Sequence, residues 1–297
     1  MIGPTYQTTD EIAAPSLVNG SECGRPRDYL QNRFTYVVVS PRARGLSIGV
    51  NVNPDKRCNF NCVYCEVDRR QPGSPAELDL DLMAMELETT INFINSGALQ
   101  KQARYARLAP DLTRLKHVAL SGDGEPTISA RFLEVVQTVV HLRARNRVPF
   151  FKLVLITNAS GLDREEVQAG LRLFRKEDEV WAKLDGGTAE YLNAVNVPDT
   201  PLEKILSNIL LTGRKRPVVI QSLFPKFERG ETSAEEILAY AARLNELKEG
   251  GAQIALVQIY SATQPSASNQ CGHLNLGKLV NIAQTVRKLT GLNAQVF

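Results

Sequence analysis

Short apolar runs alternate with amphipathic stretches along most of the chain after Gly45. Six such runs are strand candidates, at Leu46–Val52, His117–Leu120, Phe151–Thr157, Glu179–Leu184, Pro217–Leu223 and Ala252–Ile259. Several are apolar nearly throughout, as expected for strands of a parallel sheet that are covered on both faces. The alternation therefore predicts repeated strand–helix units.

The stretches between these strands carry helix start signals. Thr200, Pro201 and Glu203 combine an N-cap residue, a proline in the first turn and a capping-box glutamate. The segments Asp163–Glu166 and Ser233–Glu236 repeat the same offset. These signals predict that three of the amphipathic stretches are helices.

Six strand–helix units are too few to close an eight-stranded barrel. We therefore predict an α/β fold, a partial (βα)6 TIM-like barrel over residues 45–260. Residues 1–44 form an N-terminal extension with a short strand near Val37–Val39, and residues 261–297 form a C-terminal helical segment with a helix at Leu276–Leu289. Such folds bind ligands at the carboxyl ends of their strands.

Composition and charge narrow the class of protein only modestly. The 297 residues are 43% hydrophobic and 23% charged, and the net charge of +3 is too small to imply a nucleic-acid partner. No apolar run has the length of a membrane-spanning helix, and the first residues lack the features of a secretory signal. Five cysteines, three of them bunched, do not resemble a disulfide framework. We expect a cytoplasmic protein without membrane association.

Three of the cysteines, Cys58, Cys62 and Cys65, follow the first predicted strand with the spacing CxxxCxxC. Soft sulfur ligands select iron–sulfur clusters, zinc or copper(I). A cubane cluster normally takes four thiolates, so three would leave one iron open to a further ligand. From the spacing alone, a structural zinc knuckle stays an alternative.

A glycine-rich segment, Ser121–Thr127, follows the second predicted strand. Its glycines allow the backbone to approach a ligand closely, and its peptide groups can bind an amine or a carboxylate. The alternative is an ordinary glycine-rich turn with a solvated acidic pair.

Together the two motifs resemble those of the radical S-adenosylmethionine (radical SAM) superfamily. The cysteine spacing, with Tyr64 before the third cysteine, and the turn Gly124–Pro126 match the motifs of that family in the right order. The resemblance covers about residues 45–260. Within the superfamily, the stretch Gly45–Asp55 is similar to bacterial relatives of the wyosine synthases, which act on tRNA.

The resemblance implies the cofactors and the type of reaction. A 4Fe–4S cluster held by Cys58, Cys62 and Cys65 would cleave S-adenosylmethionine reductively, and the resulting 5′-deoxyadenosyl radical would abstract hydrogen from an unidentified substrate. The substrate could be tRNA, a peptide, a protein or a small molecule. An electron donor of the flavodoxin or ferredoxin type is also implied.

Several binding residues are implied by position in the family's motifs and strand ends. Gly124 and Glu125 would hold the methionine amine, and Asn158 would approach the methionyl or ribose portion. Tyr64 would pack beside the cluster or the adenine. No catalytic residue beyond the cluster ligands is predicted.

The later strands would complete this binding site. Lys183 and Asp185 would reach the methionine carboxylate or the ribose hydroxyls, and Tyr260 would flank the adenine. We expect strand-end residues such as Glu125 and Asn158 to affect ligand binding more than stability.

Other features leave alternatives open. Cys23 and Cys271 are expected to be buried inert thiols, the alternative being an auxiliary cluster. Two arginine-rich segments, Lys101–Lys116 and Arg143–Arg147, are read as solvated helix faces, the alternative being a phosphate-binding surface. Two other protein classes compete with the enzyme: an iron–sulfur electron carrier or sensor, and a zinc-stabilised nucleic-acid-binding module.

Overall fold

The computed structural model describes residues 27–71, 73, 77–227, 230–262 and 271–297. The strands are β1 (Thr35–Ser40), β2 (Gly45–Asn51), β3 (Leu115–Ser121), β4 (Lys152–Thr157), β5 (Glu179–Lys183), β6 (Val218–Leu223), β7 (Lys226–Phe227), β8 (Ile254–Tyr260), β9 (Cys271–Gly272) and β10 (Ala294–Val296). The helices are α1 (Leu80–Asn95), α2 (Phe132–Ala144), α3 (Glu165–Arg172), α4 (Ala189–Val195), α5 (Leu202–Gly213), α6 (Ala234–Glu249) and α7 (Leu276–Thr290). None of the helices in these ranges is long and apolar enough to cross a membrane.

Eight strands form one sheet in the order β1-β2-β3-β4-β5-β6-β8-β10. All neighbours are parallel except β1 and β2, which form an antiparallel hairpin at one edge. The sheet is curled, and Arg44 Nη2 of the hairpin turn reaches Gln295 Oε1 of β10 at 3.0 Å. The predicted partial barrel is confirmed.

The flanks of the barrel contribute strands to the same sheet. β1 comes from the range predicted as an extension, and β10 comes from the predicted C-terminal segment. The division at residues 44 and 260 stays a prediction.

Successive residues of a strand point alternately toward the surrounding helices and toward the interior of the barrel. On β3, Val118 and Leu120 join the main core between sheet and helices. Ala119, which lies between them, joins a smaller interior cluster with Val154 and Trp181. The concave interior of the barrel therefore has its own lining, and this lining forms part of the site described below.

Some helix starts agree with the predicted caps and others differ. The Ser233 side chain accepts from Glu236 N and caps α6, as predicted. The predicted Thr200 cap is wrong: α5 begins at Leu202, and the Thr200 hydroxyl donates to Asp199 Oδ1 at 2.7 Å instead. The Thr200 hydroxyl therefore bonds to the neighbouring Asp199 carboxylate and does not cap a backbone N–H of the helix.

The arginine-rich segments are not uniformly solvated. Arg143 is buried, and its two terminal nitrogens donate to the Asp178 carboxylate at 2.7 and 3.0 Å. Arg104 forms an ion pair with Asp28 at 3.3 Å. The expectation of a solvated face is wrong for Arg143, because α2 turns this side chain toward a buried carboxylate.

Candidate functional site

The three clustered cysteines line one cavity. Cys58, Cys62 and Cys65 lie in the loop between β2 and α1, are half-buried, and face a cavity of about 360 Å³. The loop is fastened to the end of α4, where Val63 N donates to Val195 O at 2.9 Å. Backbone hydrogen bonds therefore hold the loop that carries the thiols against the barrel.

Two side chains donate hydrogen bonds to these sulfurs. Arg69 Nη1 lies 3.0 Å from Cys65 Sγ, and Asn196 Nδ2 lies 3.3 Å from Cys62 Sγ. Both donors favour the deprotonated, negatively charged form of a thiol. Metal ligation requires that form.

Three thiols are donors of the kind that an iron–sulfur cluster takes. Without a metal, burial and the nearby Glu125 charge raise the pKa of the Cys58 thiol to about 12, and burial also raises the pKa of Cys62. Both thiols must therefore lose a proton when a metal binds. Within the described ranges, no group of three cysteine, histidine or acidic side chains is placed around a single metal ion.

The glycine motif packs directly on the cysteine loop. A Cβ atom at Gly124 would clash with the carbonyl oxygen of Arg57, so only glycine fits there without a shift. Glu125 N donates to the same oxygen at 3.1 Å, and Arg69 Nη2 donates to Asp123 O at 3.2 Å. The two sequence motifs are thus joined into one wall of the cavity.

The Glu125 carboxylate connects the ends of β3 and β4. It accepts from Thr127 N at 3.0 Å, Thr127 Oγ1 at 2.6 Å, Thr157 Oγ1 at 2.5 Å and Asn158 N at 2.7 Å. Burial raises its pKa, while the hydrogen bonds from Asn158, Thr127 and Thr157 oppose that rise. Glu125 is 3% exposed. The structure therefore argues against the expectation that Glu125 could be removed with little loss of stability.

Asn158 lines the cavity beside Glu125. Its Nδ2 donates to Asn59 Oδ1 of the cysteine loop at 2.9 Å, and its Oδ1 accepts from Ser160 Oγ at 2.6 Å. Asn158 thus joins the end of β4 to the loop. Its Oδ1 also accepts from Ser160 N at 3.0 Å, so both atoms of the amide are bonded to the protein.

Lys183 and Tyr260 also line the cavity, and Asp185 lies behind its wall. Lys183 Nζ donates to Tyr260 Oη at 3.0 Å and lies 3.4 Å from Asp185 Oδ1. Burial alone would lower the Lys183 pKa, but the Asp185 charge and Tyr260 raise it above its usual value. The amine is therefore held as a cation.

Asp185 is engaged by the protein on several sides. It accepts from Tyr64 Oη, from Asn196 Nδ2 at 2.7 Å and from Leu223 N at 2.8 Å. It is 1% exposed, so the structure favours a supporting role over the predicted direct contact with a ligand. Its carboxylate orients Tyr64 and Lys183, which do face the cavity.

Comparison with known proteins identifies relatives over part of the chain. No protein-family model matches. A UPF0026 protein of Helicobacter pylori is 30% identical over 177 residues, which is 58% of this chain and 49% of that protein. A UPF0026 protein of Synechocystis is 28% identical over 178 residues, 59% of this chain and 57% of that protein. The matched part is thus about half the length of these relatives.

Solved structures share the fold at low sequence identity. SuiB from Streptococcus suis bound to S-adenosylmethionine has a TM-score of 0.58 at 14% identity, over 86% of this chain and 52% of SuiB. TYW1 with a bound lysine–pyruvate adduct has a TM-score of 0.55 at 14% identity, over 86% of this chain and 84% of TYW1. A radical SAM methyltransferase from Sphaerobacter thermophilus scores 0.55 at 16% identity, over 89% of this chain and 68% of its own. This chain has the radical SAM fold.

The radical SAM fold confirms the predicted superfamily resemblance, and the narrower resemblance to wyosine-synthase relatives stays a prediction. Placed on this fold, the predicted residues Tyr64, Gly124, Glu125, Asn158, Lys183 and Tyr260 share one cavity with the three cysteines. Three other polar residues near the strand ends, Gln221, Ser222 and Gln258, are buried and do not line it. Cys23 lies outside the described residues.

Sequence reasoning missed several residues around this cavity. Asn196 follows α4, a short helix with no strong periodic signal, and touches Cys62 and Tyr64 from 134 and 132 positions away. Arg69 follows the third cysteine by four residues, yet a lone arginine in a polar loop carries no signal of its own. Only proximity in the fold reveals both residues.

Proposed function

We propose that this protein is a radical SAM enzyme that cleaves S-adenosylmethionine reductively and uses the resulting radical to abstract hydrogen from a substrate. One observation carries the proposal. Three thiols with the CxxxCxxC spacing line the same cavity as the glycine motif, at the strand ends of a radical SAM fold. A cavity at this edge of a parallel barrel is the usual place for a cofactor and its substrate.

Cys58, Cys62 and Cys65 would hold a 4Fe–4S cluster. When bound, the cluster would supply the electron that cleaves S-adenosylmethionine to methionine and a 5′-deoxyadenosyl radical. Arg69 and Asn196 donate hydrogen bonds to two of the sulfurs, and such bonds shift the reduction potential of a cluster.

The remaining cavity residues would bind and orient S-adenosylmethionine. Peptide groups around Gly124, pressed against the cysteine loop, are suited to the methionine amine. The Arg69 guanidinium has a buried Nε without a hydrogen-bond partner and suits the methionine carboxylate. Tyr64 and Tyr260 would flank the adenosyl part, and Lys183 Nζ lies 4.9 and 5.4 Å from the centroids of their rings.

Lys183 is assigned a positioning role. The TYW1 structure contains a lysine–pyruvate adduct, and a lysine must be neutral to attack a carbonyl carbon. Lys183 is the lysine among the described residues that line this cavity, and its raised pKa keeps it charged. Its charge is better suited to holding Tyr260 and an anionic group than to forming a covalent adduct.

The electron is proposed to come from a flavodoxin or ferredoxin-type donor, as in the family that the sequence resembles. The substrate class is open among tRNA, peptide, protein and small molecule.

Anaerobic reconstitution with iron and sulfide tests the proposal. We expect a brown protein with about four irons per chain. With a chemical reductant it should convert S-adenosylmethionine to 5′-deoxyadenosine, measured by liquid chromatography. Stoichiometric zinc in native protein without iron uptake would instead favour a zinc-stabilised module. A redox-active cluster without cleavage of S-adenosylmethionine would favour an electron carrier or sensor.

A further inference from the structure

One cation in the cavity has no anionic partner. Four cationic side chains line the cavity, and three of them have an acidic or sulfur partner, in the pairs Arg27–Asp123, Lys183–Asp185 and Arg69–Cys65. The fourth, Arg42, forms no ion pair within the described ranges, and its Nε is buried without a hydrogen-bond partner. A partly desolvated charge without a partner is costly, and an anion that binds there removes part of that cost.

The turn of the β1–β2 hairpin holds Arg42 in place. Arg44 N donates to Pro41 O at 3.0 Å and Ala43 N donates to Ser40 Oγ at 3.2 Å, which closes a tight turn. The Arg42 guanidinium lies over the Tyr260 ring, 4.3 Å from its centroid. Stacking on an aromatic face orients a guanidinium and leaves its edge nitrogens available to a ligand.

None of the carboxylates in the described ranges pairs with Arg42, although Glu66 lines the same cavity. His117 faces the same cavity, and burial with the charges of Lys152 and Arg42 lowers its pKa to about 3, so the ring is neutral. Ser47, which pairs with His117 in the sheet, adds a hydroxyl. The Glu125 carboxylate already accepts hydrogen bonds from Thr157 and Asn158 at the end of β4.

We propose that Arg42 binds an oxyanion of the substrate, a carboxylate or a phosphate, and holds the substrate in the cavity beside S-adenosylmethionine. The inference rests on the proposed function and narrows the substrate to a small molecule that carries such a group. The Tyr260 ring joins the two parts of the site, because Arg42 stacks on it and Lys183 hydrogen-bonds to its hydroxyl.

The position of Arg42 inside the cavity favours a small molecule over RNA. A nucleic-acid backbone needs several unpaired cations on an accessible face. In the basic segments, Arg143 is paired with a buried carboxylate and Arg104 with Asp28, whereas Arg107, Arg145 and Arg147 are exposed and lie outside the cavity. The unpartnered Arg42 charge instead faces the cavity, where a short ligand can reach it.

Binding of simple anions to the 297-residue chain tests the assignment. Acetate and inorganic phosphate are titrated separately at constant ionic strength, with chloride as the balancing ion. The fluorescence of Trp181, the one tryptophan of the sequence, reports binding because its ring contacts His117 at 5.0 Å between centroids. We expect saturable binding of one anion, and the anion that binds tells whether the site takes a carboxylate or a phosphate.

Variants of the hairpin locate the binding site. Arg42→Gln should weaken the binding about tenfold or more, because a charge-assisted pair of hydrogen bonds is lost. Arg42→Lys keeps the charge without the planar fork and should give an intermediate value. Arg44→Gln is the matched control: Arg44 is exposed, lies on the same turn and pairs with Gln295, so anion binding should not change.

Two results would overturn the inference: no saturable response to either anion in the wild-type chain, or equal affinity in Arg42→Gln and wild type. A response to tRNA without one to the small anions would reject the small-molecule class. The assay needs no cluster, so it is independent of the proposed function. Absence of iron uptake or of S-adenosylmethionine cleavage would reject the enzyme, whereas normal cleavage without anion binding would reject only the role of Arg42.

Discussion

Replacing Glu125 by alanine is expected to destabilise the barrel in addition to disturbing the cofactor site. The change removes the acceptor for two backbone N–H groups, those of Thr127 and Asn158, and for two threonine hydroxyls. The hydroxyls can rotate to other acceptors, but the backbone groups cannot. Each buried N–H that is left without an acceptor lowers the free energy of unfolding by about 1–3 kcal/mol, which gives about 4 kcal/mol for the two.

Part of this cost is offset, because the variant no longer buries the charge whose burial raises the pKa of Glu125. A net loss of about 3 kcal/mol in the free energy of unfolding is reasonable for removal of a buried, fully bonded charged group. For a chain of 297 residues, this corresponds to a fall in Tm of roughly 5 °C. Thermal unfolding followed by circular dichroism measures it.

Two variants sharpen the Glu125 test. Glu125→Gln keeps one acceptor oxygen, but its side-chain NH2 group replaces the other oxygen and faces groups that are themselves donors. Its Tm should therefore lie between those of wild type and Glu125→Ala. Glu134→Gln on α2 changes an exposed glutamate and should stay within about 0.5 kcal/mol of wild type. If Glu125→Ala unfolds within 1 °C or so of wild type, the carboxylate does not hold the strand ends as these distances imply.

Three further predictions concern the metal ligands, pH and a buried ion pair. Cys58→Ala should abolish iron uptake on reconstitution while Cys271→Ala retains it, and iron retained by the first variant would reject the ligand assignment. His117 has its pKa lowered to about 3, so the unfolded chain binds one more proton below pH 6.5 and stability falls there by up to about 1.4 kcal/mol per pH unit. His117→Gln should flatten this slope while His141→Gln on exposed α2 surface should not, as measured by urea unfolding at pH 4.5 to 7. Asp178→Asn should cost about 3–5 kcal/mol by urea unfolding, because it leaves its arginine partner buried without a counter-charge, and a cost below about 1 kcal/mol would contradict the burial of that pair.

Features that depend on near neighbours along the chain could be predicted from the sequence. All six predicted strands are present to within two residues at each end, for example Glu179–Leu184 against β5, because strand and helix periods are set by residues a few positions apart. The cap at Ser233 and the helix from Leu276 follow the same local rules. The cysteine spacing and the Gly124–Pro126 turn likewise need no knowledge of distant contacts.

Contacts between residues far apart in the sequence became visible only in the folded protein. The curl of the sheet brings the hairpin of β1 and β2 against the end of β8, which places Arg42 on Tyr260. It also places Asn196 beside Cys62 and hides Asp185 behind the wall that it was expected to line. Such contacts join residues from tens to more than two hundred positions apart, and their partners depend on strand order and curvature. Local periodicity carries no information on strand order or on sheet curvature. The chemistry of the cysteine loop could therefore be predicted from the sequence, but the charged groups around it could not.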